Sequence, residues 1–140
     1  MKLTIDKASI IVDQALAHAR ANKIRPLCVA VLDDGGNVKA LKRDDGASLL
    51  RPTIAVSKAW GAIGMGESSR HLGNRLKDMT AFLGALSDMS GGKVVPVAGG
   101  VLIMDGDVII GAAGASGASA DEDEAAVVAG IKAAGLEYRI

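Results

Sequence analysis

The sequence predicts an α/β chain of the α+β kind, an antiparallel sheet packed by helices. Three observations carry this prediction. Two turn signals, Asp33-Asp34-Gly35-Gly36-Asn37 and Asp105-Gly106, each lie between apolar runs of strand length, which is the pattern of a hairpin. Segments with helical periodicity precede, separate and follow the two hairpins. The resulting order is helix, hairpin, helices, hairpin, helix. Strands gathered in hairpins make an antiparallel sheet, not a parallel doubly wound one.

Thr4 caps a helix over Ile5 to Ala21, in which Ala8, Ile11, Val12, Ala15, Leu16 and Ala19 recur at helical spacing and form one apolar face. The polar stretch Asn22-Lys23-Ile24-Arg25-Pro26 ends it. Leu27 to Leu32 is a nearly unbroken, valine-rich apolar run, as a central strand covered on both faces requires. Asn37 to Arg43 mixes Val38, Ala40 and Leu41 with lysines and reads as the returning arm. Asp44-Asp45-Gly46-Ala47 leads into a second helix, with Pro52 in its first turn, where a missing amide hydrogen has no partner to lose. Ile54, Ala55, Lys58, Ala59, Ala62 and Ile63 continue that helix to Gly64 and Gly66. Two short helical pieces follow near Ser69–Leu76 and Met79–Leu86, and Ser90-Gly91-Gly92-Lys93 closes the segment. Val94 to Met104 and Val108 to Ala115 flank Asp105-Gly106. Pro96, Gly99 and Gly100 interrupt the first of these runs, which is expected as two short strands. Ser119-Ala120-Asp121-Glu122 matches a capping box, and the helix it opens runs to about Ala134 before Gly135. Leu136 to Ile140 is a short tail or edge strand.

Composition narrows the function classes. The 140 residues are expected as one domain, 1–140, with 49% hydrophobic and 23% charged residues, enough to bury a core without disulfides or a structural metal. Sixteen basic residues balance sixteen acidic ones, so no net field draws the chain to nucleic acid or to an anionic membrane. Trp60, Phe82 and Tyr138 are the only aromatic residues apart from histidine, too few for a base-stacking platform. The single cysteine, Cys28, sits in an apolar run and reads as a buried small hydrophobe. Nothing resembles a signal peptide or a membrane helix, so the expected location is cytoplasmic.

The residues that could carry chemistry are few. The glycine run from Gly111 to Gly117 lacks both dinucleotide and P-loop spacing, and the four carboxylates from Asp121 to Glu124 would repel a phosphate. Those glycines read as places where backbone packs closely against a neighbouring element or a ligand. Asp123 and Glu124 lie beyond the capping positions, so one of them is the better candidate for an inward, functional carboxylate. Lys58, among Ala55, Ala59 and Ala62, is either an anion anchor or base projecting into a cleft, or a lysine snorkelling from the rim of an apolar stripe. Arg43, beside Asp44 and Asp45, either binds a substrate carboxylate or braces the turn through a local ion pair. His18 and His71 are the two histidines, with no second imidazole at ligand spacing, so no zinc motif is expected. Each is a candidate axial haem ligand, with Met65, Met79 and Met89 as softer alternatives.

Several segments taken together resemble the GlcG/HbpS family, which also includes the C-terminal domain of PduO-type corrinoid adenosyltransferases. They are Val29-Ala30-Val31-Leu32-Asp33 with Gly36-Asn37, Arg43-Asp44-Asp45-Gly46-Ala47, Ser57-Lys58-Ala59, Gly99-Gly100-Val101, and the stretch from Gly111 through Ser116-Gly117 to Asp123-Glu124. The resemblance runs through nearly the whole chain in one order. It implies a profilin- or PAS-like fold with a central five-stranded antiparallel sheet, and a homo-oligomer anywhere from a dimer to an octamer. It also implies binding of haem or another tetrapyrrole, with Gly99 and Gly100 among the ligand-binding positions. Asp44, and Trp60 with Gly61, depart from the family's usual residues.

Three functions follow as expectations. The first is a small-ligand-binding protein, with haem as the inherited ligand and His18 or His71 on its iron. The second is a small enzyme for a carboxylated or carbonyl metabolite, with Lys58 or Arg43 holding the anion and Asp123 or Glu124 moving a proton. The third is an accessory oligomeric subunit without catalysis, since small side chains on the helices suit close subunit packing.

Overall fold

A computed structural model describes all residues from Met1 to Ile140. The elements, in chain order, are α1 (Ile5–Ala21), β1 (Cys28–Asp33), β2 (Val38–Arg43), α2 (Arg51–Met65), α3 (Ser69–Leu76), α4 (Thr80–Met89), β3 (Gly100–Asp105), β4 (Val108–Ser116), α5 (Ala120–Ala133) and β5 (Glu137–Arg139). The five strands form one sheet in the order β2-β1-β4-β3-β5, and every neighbouring pair is antiparallel. β4 is the central strand, flanked by β1 and β3, so the unbroken apolar run of β1 lies inside the sheet. The tail supplies the edge strand β5, with Tyr138 opposite Ile103.

Period-two alternation divides the sheet's side chains between two helical layers. Val29, Val31, Val101, Ile103, Ala113 and Ala115 join α1 and α5 in the larger core. Cys28, Ala30, Leu32, Leu102, Met104 and Ala112 turn to the opposite face, which α2 covers with Ala55, Ala59 and Ala62. Each fully buried leucine, isoleucine or valine contributes roughly 1.5–3 kcal/mol relative to exposure. Leu72, Leu76 and Leu86 form a separate small cluster that holds α3 to α4.

Local chemistry sets the helix ends. The Thr4 side chain accepts from the Lys7 amide at 3.2 Å and caps α1. Ser119 and Glu122 complete the expected capping box of α5. α2 differs: it starts after Leu50 with no side-chain cap and no acidic residue in its first turn.

Two expectations change. The run from Val94 to Met104 yields one strand, not two, and only Gly100–Asp105 pairs. Pro96 has no amide hydrogen to give a ladder, the Val97 amide bonds back to the Val95 carbonyl at 2.9 Å, and Gly99 sits at φ +132°. The second short helix also extends three residues past Leu86, to Met89.

The glycine-rich sequence of β4 answers to helix packing. A Cβ on Gly114 would run into the Ala55 carbonyl and the Ala59 nitrogen of α2. Gly114→Ala is therefore expected to destabilise the fold by about 1–3 kcal/mol through overpacking. Gly84→Ala, in α4 with open space around it, is expected to stabilise by about 0.5–1 kcal/mol. Chemical denaturation of the two variants against the parent checks the opposite signs.

Candidate functional site

The core contains one charged pair. Lys58 lies on the α2 face that carries Ala55, Ala59 and Ala62 into the sheet, and its side chain is only 4% exposed. Its Nζ donates to the Ala115 carbonyl at 3.0 Å and to Asp123 Oδ2 at 3.1 Å. Asp123, 2% exposed, accepts a second bond at Oδ1 from the Ala118 amide at 3.0 Å. The pair joins α2, on one face of the sheet, to the first turn of α5, on the other.

Local structure explains why each group points inward. Asp123 falls on the stripe of Ala126, Val127, Gly130 and Ile131, which α5 buries. A carboxylate in a first turn also complements the helix dipole. Lys58 reaches it by passing the start of β3, where there are no side chains. A Cβ on Gly99 would meet Lys58 Nζ at 2.8 Å and Cδ at 2.9 Å, and one on Gly100 would collide with the Lys58 carbonyl. Gly99 thus leaves room for the lysine side chain, and Gly100 lets the α2 backbone at Lys58 lie against the start of β3.

Burial pushes the Asp123 carboxyl above the ordinary carboxylate range, against the opposing pull of the Ala118 amide, the Lys58 ammonium and Arg51. Breaking such a pair leaves one buried charge uncompensated, at a cost of about 3–5 kcal/mol.

Beside the pair is a shallow hollow of about 200 Å³, bordered by Arg51, Ile54, Val95, Val97 and Ser116 as well as Lys58 and Asp123. Arg51 is half-buried and donates Nη1 to Ser116 Oγ at 3.1 Å. The sequence reading does not single out Arg51. The available signal is its place: a cation in the first turn of a helix opposes the dipole and needs another reason to be there.

The remaining candidates lie elsewhere. Glu124 takes the Arg70 Nε at 2.9 Å, and Arg70 also pairs with Asp121, so of the two adjacent carboxylates Asp123 alone meets Lys58. Arg43 donates to the Ala47 carbonyl at 2.6 Å and braces the loop before α2, while Asp44 pairs with Arg20. His18, half-buried on α1, has Nδ1 3.5 Å from the Asn22 amide nitrogen. His71, exposed on α3, has Nδ1 2.8 Å from Glu67 Oε2 and borders a hollow of about 220 Å³ with Glu67, Arg139 and Ile140. Cys28 is buried, and burial pushes its thiol up to about 11 against the nearby Arg43 charge, so it stays protonated. No helix is long and apolar enough to cross a membrane.

The pair makes a titration prediction with a definite sign. The folded state holds the Asp123 proton more tightly than the unfolded chain, whose ordinary value is 3.8. The carboxyl's contribution to stability is therefore fully present below that value and is lost as pH rises through the folded pKa. Carbon-detected NMR is expected to place the Asp123 midpoint above 3.8, and Lys58→Met is expected to move it further up. A midpoint unmoved by loss of the lysine would contradict the pairing.

With the geometry in hand, comparison with known proteins gives one consistent answer. A family model described as haem degrading protein HbpS-like matches residues 3–132. The corrinoid adenosyltransferases PduO of Salmonella typhimurium and Citrobacter freundii are 31% and 30% identical to this chain over 108 residues, which are 76% of this chain and 32% of each relative. The chain thus spans about a third of the length of these curated relatives, at 32%. A crystal structure of a PduOC–haem complex superposes with a TM-score of 0.90 at 25% identity, covering 100% of both chains. A double mutant of HbpS from Streptomyces reticuli superposes with a TM-score of 0.82 at 28% identity, covering 94% of this chain and 86% of that one. The sheet order, the helical layers on both faces and the match over residues 3–132 together place this chain in the HbpS-like family.

Proposed function

We propose that this chain is a haem-binding protein and that His71 is the iron ligand. The observation that carries the reading is the full-length likeness to the PduOC–haem complex, with a TM-score of 0.90. The HbpS-like family match supports the same ligand class.

The residues around His71 fit an axial ligand. A carboxylate only accepts hydrogen bonds, so the 2.8 Å contact with Glu67 calls for a proton on Nδ1, and in the neutral ring the lone pair is then on Nε2. A carboxylate behind a ligating imidazole fixes its orientation and raises its basicity. Arg75 first, and His71 second, hold the Glu67 carboxyl below the usual range, which keeps it ionised. Arg139 borders the same hollow and suits a propionate carboxylate, and Ile140 suits the apolar edge of the macrocycle. His18 has no comparable partner, because its Asn22 contact is long and the same amide donates to the His18 carbonyl at 2.8 Å.

Bound haem would supply a redox-active iron, while the chain's own residues hold and orient it. The hollow is open on one side, so in this reading a second copy of the chain covers the outer face of the ligand. Self-association and a cytoplasmic location belong to the same proposal.

Titration with hemin tests it. Wild-type protein is expected to give a saturable Soret shift, His71→Ala to lose it, and His18→Ala to keep it. Glu67→Gln is expected to weaken binding about tenfold or more while sparing the fold. An unchanged spectrum and affinity in His71→Ala would overturn the assignment, as would a loss confined to His18→Ala.

A further inference from the structure

The hollow over the Lys58–Asp123 pair has chemistry that the haem reading leaves unused. Arg51 at its rim gives one nitrogen to Ser116 and has no carboxylate in ion-pair contact. A guanidinium carries five N–H donors in a planar fork, so most of this one is free. Ser116 is 1% exposed, accepts from Arg51, and donates its own hydroxyl proton to nothing in the fold.

Of the acids in this region, Asp44 is engaged with Arg20 and Asp123 with Lys58. Arg25 lines an adjoining hollow that also includes Arg51, and it too has no carboxylate partner. In the first turn of α2 the Arg51 amide is taken by the Ser48 carbonyl at 3.1 Å and Pro52 has no N–H, so the positive charge of this rim comes from the guanidinium groups. The apolar part of the lining is Ile54, Val95 and Val97, and Val97 is 46% exposed.

We propose that this hollow is a binding site for a short organic carboxylate, with its head group on Arg51 and Ser116 and its hydrocarbon body on Ile54, Val95 and Val97. The planar fork of Arg51 matches a carboxylate edge to edge, and the Ser116 hydroxyl supplies a further donor. Lys58 and Asp123 neutralise each other at the floor, so the floor does not repel an anion. The volume, about 200 Å³, lies below the ≈300–1,000 Å³ of drug-sized sites and suits a small acid. An inorganic anion would leave the apolar wall without a partner. The site stands apart from the haem reading and does not rest on it, although a haem propionate presents the same head group.

Methyl-detected NMR of the full chain tests this, with butyrate and its uncharged isostere butyramide as probes. Butyrate is expected to shift the Ile54, Val95 and Val97 methyls saturably, and butyramide to bind about tenfold more weakly or worse. Arg51→Gln is expected to weaken butyrate by a similar factor, with partial recovery in Arg51→Lys. Val97→Asp, at an exposed position, places a like charge on the wall without touching the core and is expected to abolish binding. Equal binding of the two probes, or unchanged butyrate affinity in Arg51→Gln or Val97→Asp, would overturn the proposal. Retained butyrate binding in haem-loaded protein supports a free acid as the occupant. Competitive displacement of butyrate by hemin, lost in Arg51→Gln, overturns that source and assigns the site to a propionate.

Discussion

The buried ion pair between Lys58 and Asp123 ties together the helices that cover opposite faces of the sheet. The sheet is covered on both faces, and the covering layers are separated by the thickness of the strands. At the end of β4 the pair reaches round the sheet and fastens α2 to the first turn of α5. Much of the nearby sequence answers to that requirement. A side chain on Gly99 would block the lysine, one on Gly100 would strike the α2 backbone at Lys58, and the Ala118 amide is turned to hold the second carboxylate oxygen. A buried pair of this kind contributes little net stability compared with apolar residues of the same size, but neither partner can be lost alone. It joins α2 and α5 at one contact beneath the surface between them.

That surface and the one around His71 are chemically different. At His71 an imidazole is oriented by a carboxylate that two neighbouring cations or donors keep ionised. At Arg51 a half-buried guanidinium faces an apolar wall, with a neutralised pair beneath it. The first arrangement suits a metal-centred ligand, the second a small acid. The relatives carry a domain of this kind within longer chains, since the matched region is 32% of PduO.

The sequence carries the fold in its punctuation. The two turn signals, the capping box at Ser119 and the apolar stripe of α1 each act locally, and each element forms where its own residues place it. At Val94–Gly99 one strand stands where two are expected: a run interrupted at Pro96 and Gly99 still reads as strand on both sides, whereas pairing needs amide hydrogens and strand dihedrals that these two residues withhold. The site was only half legible. Lys58 on an alanine face, and Asp123 in phase with Ala126, Val127 and Ile131, are both readable as inward groups. Their meeting is not, because it joins positions 65 residues apart and depends on how two layers settle against one sheet. Glu67 four residues before His71 is a visible spacing, but Glu67 lies ahead of the Ser68 cap, outside α3, so the contact depends on how the chain enters that helix. Arg51 looks like an ordinary surface arginine until β4 brings Ser116 beside it.

A double-mutant cycle across Lys58 and Asp123 tests the central claim most directly. Lys58→Met, Asp123→Leu and the combined variant would be compared with the parent by chemical denaturation at neutral pH. If the two charges depend on each other, each single change destabilises by about 3–5 kcal/mol while the double variant recovers most of that loss. Two single effects that simply add in the double variant would contradict the claim and make the two groups independent occupants of the core.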